Sequence, residues 1–182
     1  VIIFNASFNA GKKSNGISNA FKISFIAILT ATSLTLIVLL LSGAILFIPS
    51  QVIPISGMIA SNSMIAIGIC YRNLNSKFKD QRQQVLEKLA LGANLKQASI
   101  SIVRDSIRAG MLPTIESAKT IGIVSLPGMM SGLMFAGVNP THAIKYQIMV
   151  TFMLLSTTSI ASVIASYLAY KEFYTARKQL KD

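Results

Sequence analysis

Residues 23–48 read ISFIAILTATSLTLIVLLLSGAILFI and contain no charged side chain. A helix needs about 20 apolar residues to cross the hydrocarbon core of a bilayer, so this stretch is long enough to span a membrane. Residues 52–71, 120–138 and 146–170 are also uncharged and long enough. We therefore predict an all-α, polytopic helical membrane protein with about four transmembrane helices, forming a single domain over residues 1–182.

The composition agrees with a membrane protein. Hydrophobic residues make up 52% of the chain and charged residues 13%, whereas a soluble domain carries about 25% charged residues. The mean hydropathy is +0.59. The single cysteine, Cys70, excludes an intramolecular disulfide framework and a CxxC metal site. Because the chain starts at Val1 rather than at a methionine, we expect further spans upstream.

The positive charges are distributed unevenly around the apolar stretches. All 17 Lys and Arg residues except Lys145 fall on one side if the four stretches span. Lys and Arg accumulate on the cytoplasmic side of membrane proteins. This rule predicts a multi-pass protein of the cell inner (cytoplasmic) membrane, with the loop at residues 72–119 and both termini in the cytoplasm. It also accounts for the net charge of +11, and we expect no nucleic-acid partner.

The loop at residues 72–119 is predicted to form two helices. The first ends near Gly92, because glycine readily adopts the left-handed conformation found after helix ends. Asn94 followed by Gln97 is typical of a capping box that starts the second helix. Such a segment either docks on a soluble partner or lies along the membrane surface. The residues predicted to dock are Glu87, Lys88, Leu89, Leu91, Gly92, Ala93 and Asn94.

A second group of residues is predicted to line a translocation path. An amide in mid-span, such as Asn62, must face a cavity or find a partner on another helix. Pro127 interrupts the stretch at 120–138, and broken helices in transporters often line the substrate path. Close helix packing through Gly128 and Gly132 is the alternative there. The predicted path residues are Asn62, Ser63, Glu116, Pro127, Gly128, Met129, Met130 and Gly132.

Glu116 is the acidic side chain closest to the third predicted span. It either attracts a cation at the mouth of this span or pairs with Lys119 three residues later. The methionines of the last two spans suit a soft metal ion only weakly, since methionine is also ordinary core filler. The sequence contains no Walker A motif and no catalytic constellation. We therefore expect neither an enzyme nor a bound cofactor, and the metal ligands stay undefined.

Several stretches closely resemble the FetB family of membrane permeases, and the resemblance runs in order through nearly all 182 residues. The matching stretches are QVIPISGMIA (51–60), EKLALGA (87–93), RDSIR (104–108), SLPGMMSG (125–132) and IKYQIMVTFMLLS (144–156). Family members are longer at the N-terminus, so this chain matches their C-terminal part.

The resemblance implies a permease subunit of a bacterial ABC transporter that exports iron or a related metal ion. It implies two partners, a FetA-like ATP-binding subunit that hydrolyses ATP and a second permease copy. The docking residues at 87–94 would then contact the ATP-binding subunit. Plant relatives are linked to aluminium tolerance and to a nucleotide sugar, so a nucleotide sugar is an alternative substrate. A non-transporting membrane scaffold is the alternative of a different class.

Overall fold

The computed structural model describes residues 1–12, 17, 19–43, 45, 47–121, 127–175 and 179–180, and all of its long elements are helices. The prediction of an all-α protein is therefore confirmed. The described residues form α1 (Ile2–Lys12), α2 (Ala20–Leu41), α3 (Pro49–Asp80), α4 (Arg82–Ala90), α5 (Leu95–Thr120), α6 (Gly128–Phe135) and α7 (Pro140–Ala169), which is followed by a 3-10 turn (Tyr170–Phe173).

Three of the described helices are long and apolar enough to cross a membrane. They comprise Ala20–Leu41, Val52–Asp80 and Pro140–Phe173. These segments contain most of three of the four predicted spans, those at 23–48, 52–71 and 146–170. Their length and composition follow from the apolar runs that the sequence shows.

The fourth predicted span, residues 120–138, was expected to be interrupted at Pro127, and its described part is not a single long helix. Helix α5 ends at Thr120, and α6 begins at Gly128 and is 8 residues long. Residues 122–126 lie outside the described residues. Pro127 directly precedes α6 with an extended backbone, at φ −62° and ψ 140°. Proline has no backbone N–H and a φ fixed at about −65°, which suits the residue that directly precedes a helix.

The segment predicted as a two-helix loop, residues 72–119, differs in part. Helix α3 continues through this segment as far as Asp80 instead of ending at Tyr71. The predicted capping box is confirmed, because Asn94 and Gln97 make both of its side-chain-to-backbone contacts. Helix α5 then continues through Pro113 for 26 residues. It is therefore a long helix of the bundle and not a short loop helix.

Side-chain contacts fix the directions of the bundle helices. Near the start of α2, Ser24 Oγ hydrogen-bonds the Tyr71 hydroxyl in the second half of α3, at 2.9 Å. Near the end of α3, Lys77 Nζ lies 2.6 Å from Asp105 Oδ2 in the first half of α5. Helices α2 and α5 therefore run in one direction, and α3 and α7 run in the other. We call the end where α2 and α5 begin the charged end of the bundle.

Aromatic and polar contacts close the charged end. The rings of Phe78 and Phe173 stack with centroids 4.4 Å apart, which joins the end of α3 to the turn after α7. The hydroxyl groups of Ser99 and Tyr174 share a hydrogen bond. Burial raises the pKa of the Tyr174 hydroxyl above its ordinary value, although the bond to Ser99 acts in the opposite direction. The start of α5 is thus tied to the segment that follows α7.

Helix α5 approaches its neighbours most closely at Gly110. A Cβ atom built on this glycine would lie 2.3 Å from Cys70 Sγ, 2.9 Å from the Ala66 carbonyl oxygen and 3.2 Å from Ser162 Oγ. In a membrane, helices associate through close van der Waals contact between small residues, because lipid is as apolar as leucine. Gly110 therefore sets the distance of α5 from α3 and α7.

We expect Gly110→Ala to destabilise the fold by about 1–3 kcal/mol, because the Ala66 carbonyl is backbone and cannot move aside cheaply. The thermal midpoint in detergent, read as loss of the monodisperse species, measures this. Gly57→Ala is the matched control, since a Cβ there has nothing within 4 Å. Adding Cys70→Ala to Gly110→Ala should recover only part of the loss. Equal midpoints for Gly110→Ala and Gly57→Ala would contradict the close contact.

Candidate translocation cavity and coupling segment

A cavity of about 430 Å³ lies between α3, α5, α7 and the start of α6, and it is open on one side. Its polar lining consists of amides and hydroxyls: Asn62, Thr114, Ser117, Thr120, Gln147 and Thr151. The thioethers of Met58 and Met129 also line it. No charged side chain belongs to the described lining. Because α3 and α7 each meet the length and hydropathy needed to span a membrane, this cavity lies within the apolar part of the bundle, and apolar residues form the larger part of its wall.

Among the described lining residues, Gln147 has a buried side-chain oxygen without a hydrogen-bond partner. Its side chain is only 7% exposed, and its Oε1 has no hydrogen-bond partner among the described residues. Its Nε2 donates to Thr151 Oγ1 at 3.4 Å. A buried acceptor without a partner costs about 1–3 kcal/mol. Because this oxygen is itself buried, a cation or a hydrogen-bond donor in the cavity would reach it only after the Gln147 side chain turned.

The sequence predictions did not include Gln147. The signal was present, because Gln147 is an amide within the uncharged stretch at 146–170, and the argument applied to Asn62 covers it equally. The hydroxyls of Thr114, Ser117 and Thr151 were also not predicted. Serine and threonine are common in membrane helices, so only the fold shows which of them face a cavity.

Asn62 lines the cavity, whereas Ser63 does not. The Asn62 Nδ2 donates to the Met58 carbonyl oxygen of the same helix at 2.9 Å. This bond lies within α3, so it is not the interhelical bond considered as the alternative. Ser63 is buried, and its Oγ has no hydrogen-bond partner in the described part of the chain.

Five of the predicted path residues lie in the stretch at 120–138, and three of them line the cavity. Pro127, Gly128 and Met129 line it, but Met130 and Gly132 do not. A Cβ atom built on Gly128 or Gly132 would meet no atom of the described residues within 4 Å. The close helix contact expected from this glycine pair is therefore not observed here.

Glu116 lies at the rim of the cavity rather than in its wall. Pro113, three residues earlier, and Thr120, four residues later, both line the cavity. Residues at these spacings are neighbours on a helix surface, so the exposed Glu116 carboxylate lies beside the lining. Glu116 and Lys119 form no ion pair in the described structure, in contrast to the structural alternative drawn from the sequence.

The described residues contain no group of three His, Cys, Asp or Glu side chains placed to hold a metal ion. Cys70 is buried, and His142 is exposed near the start of α7, so neither belongs to such a group. Any ion in the cavity would therefore meet neutral oxygen and sulfur donors of this chain.

Residues 87–94, which we call the coupling segment after their predicted role, join α4 to α5 through a tight helix end. Gly92 has φ +88°, in the left-handed region that favours glycine. The Ala93 N–H donates to the Lys88 carbonyl and the Gly92 N–H to the Leu89 carbonyl, each at 3.0 Å. This pair of bonds is the Schellman arrangement that ends many helices. The segment thus has a defined backbone rather than a variable one.

The coupling segment presents both apolar and polar groups at its surface. Leu91 is 88% exposed, and Glu87 is exposed and accepts a hydrogen bond from Gln83. Leu89 instead packs against the core and anchors the segment. Leu91 is available for contact with another protein, although a single exposed leucine is normal on a protein surface and does not by itself mark an interface.

Helix α5 connects the coupling segment to the cavity. Asn94 caps its first turn, and Thr114 and Ser117 form part of the cavity wall near its other end. At about 1.5 Å per residue, a helix of this length spans about 39 Å. A displacement of the coupling segment would therefore move the cavity wall directly.

These features define a helical membrane protein with a partly polar cavity between its helices. The chain belongs to the uncharacterised protein family UPF0014, whose family model matches residues 1–174. This membership rests on the whole length of the bundle, from α1 to the segment that follows α7.

Similar proteins occur in bacteria and plants. The chain is 61% identical to the probable iron export permease protein FetB of Escherichia coli K12, over 98% of this chain and 69% of that protein. It is 35% identical to the UPF0014 membrane protein STAR2 of rice, over 97% of this chain and 62% of that protein. The protein ALUMINUM SENSITIVE 3 of Arabidopsis thaliana is 33% identical, over 97% of this chain and 64% of that protein.

The resemblance to the FetB family seen in the sequence is confirmed by the first of these matches. The chain spans between 62% and 69% of the length of the three relatives. No solved structure matches this chain.

Proposed function

We propose that this chain is the membrane permease subunit of a transporter that exports iron or a related metal ion. ATP would be hydrolysed by a separate subunit, and the permease itself would hold no cofactor. The observation that carries the proposal is the 61% identity to the Escherichia coli iron export permease over almost the whole chain. The charge distribution supports an inner-membrane location with the charged end in the cytoplasm.

The cavity is the proposed substrate path. A path must bind its substrate strongly enough to admit it and weakly enough to release it. Neutral carbonyl, hydroxyl and thioether groups meet this requirement for a metal ion better than a closed cage of carboxylates. The side-chain amide of Gln147 is the proposed ligand inside the cavity, and its buried oxygen would become available when the side chain turns.

Helix α5 is the proposed coupling element. The ATP-binding subunit would contact the exposed surface around Leu91 and Glu87, and Gly92 with Asn94 would hold this surface at a fixed angle to α5. Because α5 also forms the cavity wall, nucleotide-driven movement at the charged end would change access to the cavity. A second permease copy completes the proposed assembly.

The transport test uses inverted membrane vesicles that contain the complete permease and its ATP-binding subunit. We expect ATP-dependent iron uptake, and Gln147→Leu should lower it at least about tenfold, since the substrate loses a buried ligand. The thermal midpoint should stay equal or rise, because the unpaired acceptor is gone. Ile148→Ala, next in sequence and exposed, serves as control.

The outcomes separate the substrates and the classes of function. No ATP-dependent flux with wild-type protein would contradict the transporter and favour a membrane scaffold. Hydroxyl and amide groups also bind sugars, so a nucleotide sugar is the second candidate substrate. If the vesicles take up a nucleotide sugar and iron does not compete, the nucleotide sugar would replace iron as the proposed substrate. Normal iron flux in folded Gln147→Leu would contradict the cavity as the path.

Docking is tested by co-purification of the permease with the ATP-binding subunit. Leu91→Ser should reduce recovery of the partner about tenfold without changing the thermal midpoint, because this side chain is exposed. Lys79→Ser, exposed at the end of α3, is the control. Equal recovery with both variants would show that the partner binds elsewhere.

A further inference from the structure

Helix α5 has two unlike faces. Its inner face packs on α3 and α7 through buried small and apolar residues such as Ile102, Ser106 and Gly110. The outer face carries exposed residues of a different kind: Arg104, Arg108, Leu112, Glu116 and Lys119. Nothing in the described structure covers this outer face.

The far half of this face lies at the depth of the apolar part of α3. Gly110 contacts Ala66, and the residues that follow it on α5 line the same cavity as Met58. Because α5 runs antiparallel to α3, Glu116 and Lys119 lie beside the half of the spanning segment that is farther from its charged end.

Contact of such a charged face with lipid is energetically unfavourable. Charged side chains within membrane segments are costly and almost always face protein or a water-filled cavity. In the central parts of α2 and α7 most exposed residues are apolar, among them Leu34, Ile37, Val38, Ile148 and Phe152. The bundle therefore has sides that suit lipid, and the α5 side requires protein or water against it.

We propose that the outer face of α5 packs against a second copy of this chain, with Glu116 of each copy facing Lys119 of the other. This inference rests on the proposed function, which pairs two permeases. Two copies related by an axis normal to the membrane would make each contact twice. Glu116 and Lys119 are three residues apart, about 4.5 Å along the helix, so the opposite charges lie at nearly the same depth.

The contact would also complete the cavity. Pro113 and Thr120 line the cavity and are exposed, and they flank Glu116 on the helix surface. A copy seated on Glu116 would therefore cover this rim. Leu112, which is 50% exposed and one turn before Glu116, would supply the apolar part of the contact.

The test uses two differently tagged copies of the complete permease, expressed together with the ATP-binding subunit. Glu116→Lys in both copies, or Lys119→Glu in both, should lower recovery of the second tag at least about tenfold, because like charges then face each other. Expressing one Glu116→Lys copy with one Lys119→Glu copy should restore recovery. An ion pair within one helix would not be restored in this way.

A cross-link supplies an independent measurement. Oxidation of Leu112→Cys should give a covalent dimer, and the native Cys70 is buried and leaves a low background. Lys96→Glu, exposed at the other end of α5, should leave recovery unchanged. The proposed dimer surface would be wrong, and the proposed function would stand, under one combination of results. Both charge variants would show normal recovery, Leu112→Cys would give no cross-link, and the wild type would still export iron. Loss of ATP-driven flux with pairing and cross-linking intact would contradict the proposed function instead.

Discussion

The close contact of Gly110 with the α3 backbone is the constraint on which the rest of the structure depends. It allows α5, a helix with charges on its outer face, to lie against two strongly apolar helices. Any side chain at this position would push α5 away from Ala66 and widen the bundle. Because α5 stays close, its residues Thr114 and Ser117 meet α3 and α7 and enclose a cavity.

Helix α5 also connects the coupling segment to the wall of the cavity. Its first turn is capped by Asn94 next to the coupling segment, and its last turns form a wall of the cavity. A Schellman turn at Gly92 and a capping box at Asn94 make the connection stiff at one end. The contact between Tyr174 and Ser99 also ties this end to the segment after α7. We therefore expect a displacement of the charged end to change the cavity through movement of whole helices.

Much of this fold follows from the sequence, because hydrophobic stretches and local caps carry their own signals. The spans at 23–48 and 146–170 and the cap at Asn94 are examples. The position of α5 is different. Its charges make residues 95–119 resemble a cytoplasmic loop, and a lone glycine in a polar helix gives no sign that it is a packing contact. Gln147 entered the candidate site only when the packing of α7 against α5 was known.

The central claim is that the cavity between α3, α5 and α7 is a water-accessible path. The most direct measurement is the reaction of a membrane-impermeant thiol reagent with Thr151→Cys and with Phe152→Cys in native membranes. Thr151 lines the cavity, whereas its neighbour Phe152 is 66% exposed on the apolar surface. If the cavity is open to water, we expect rapid labelling at 151 and little at 152. Equal labelling at both positions, or labelling at 152 alone, would contradict it.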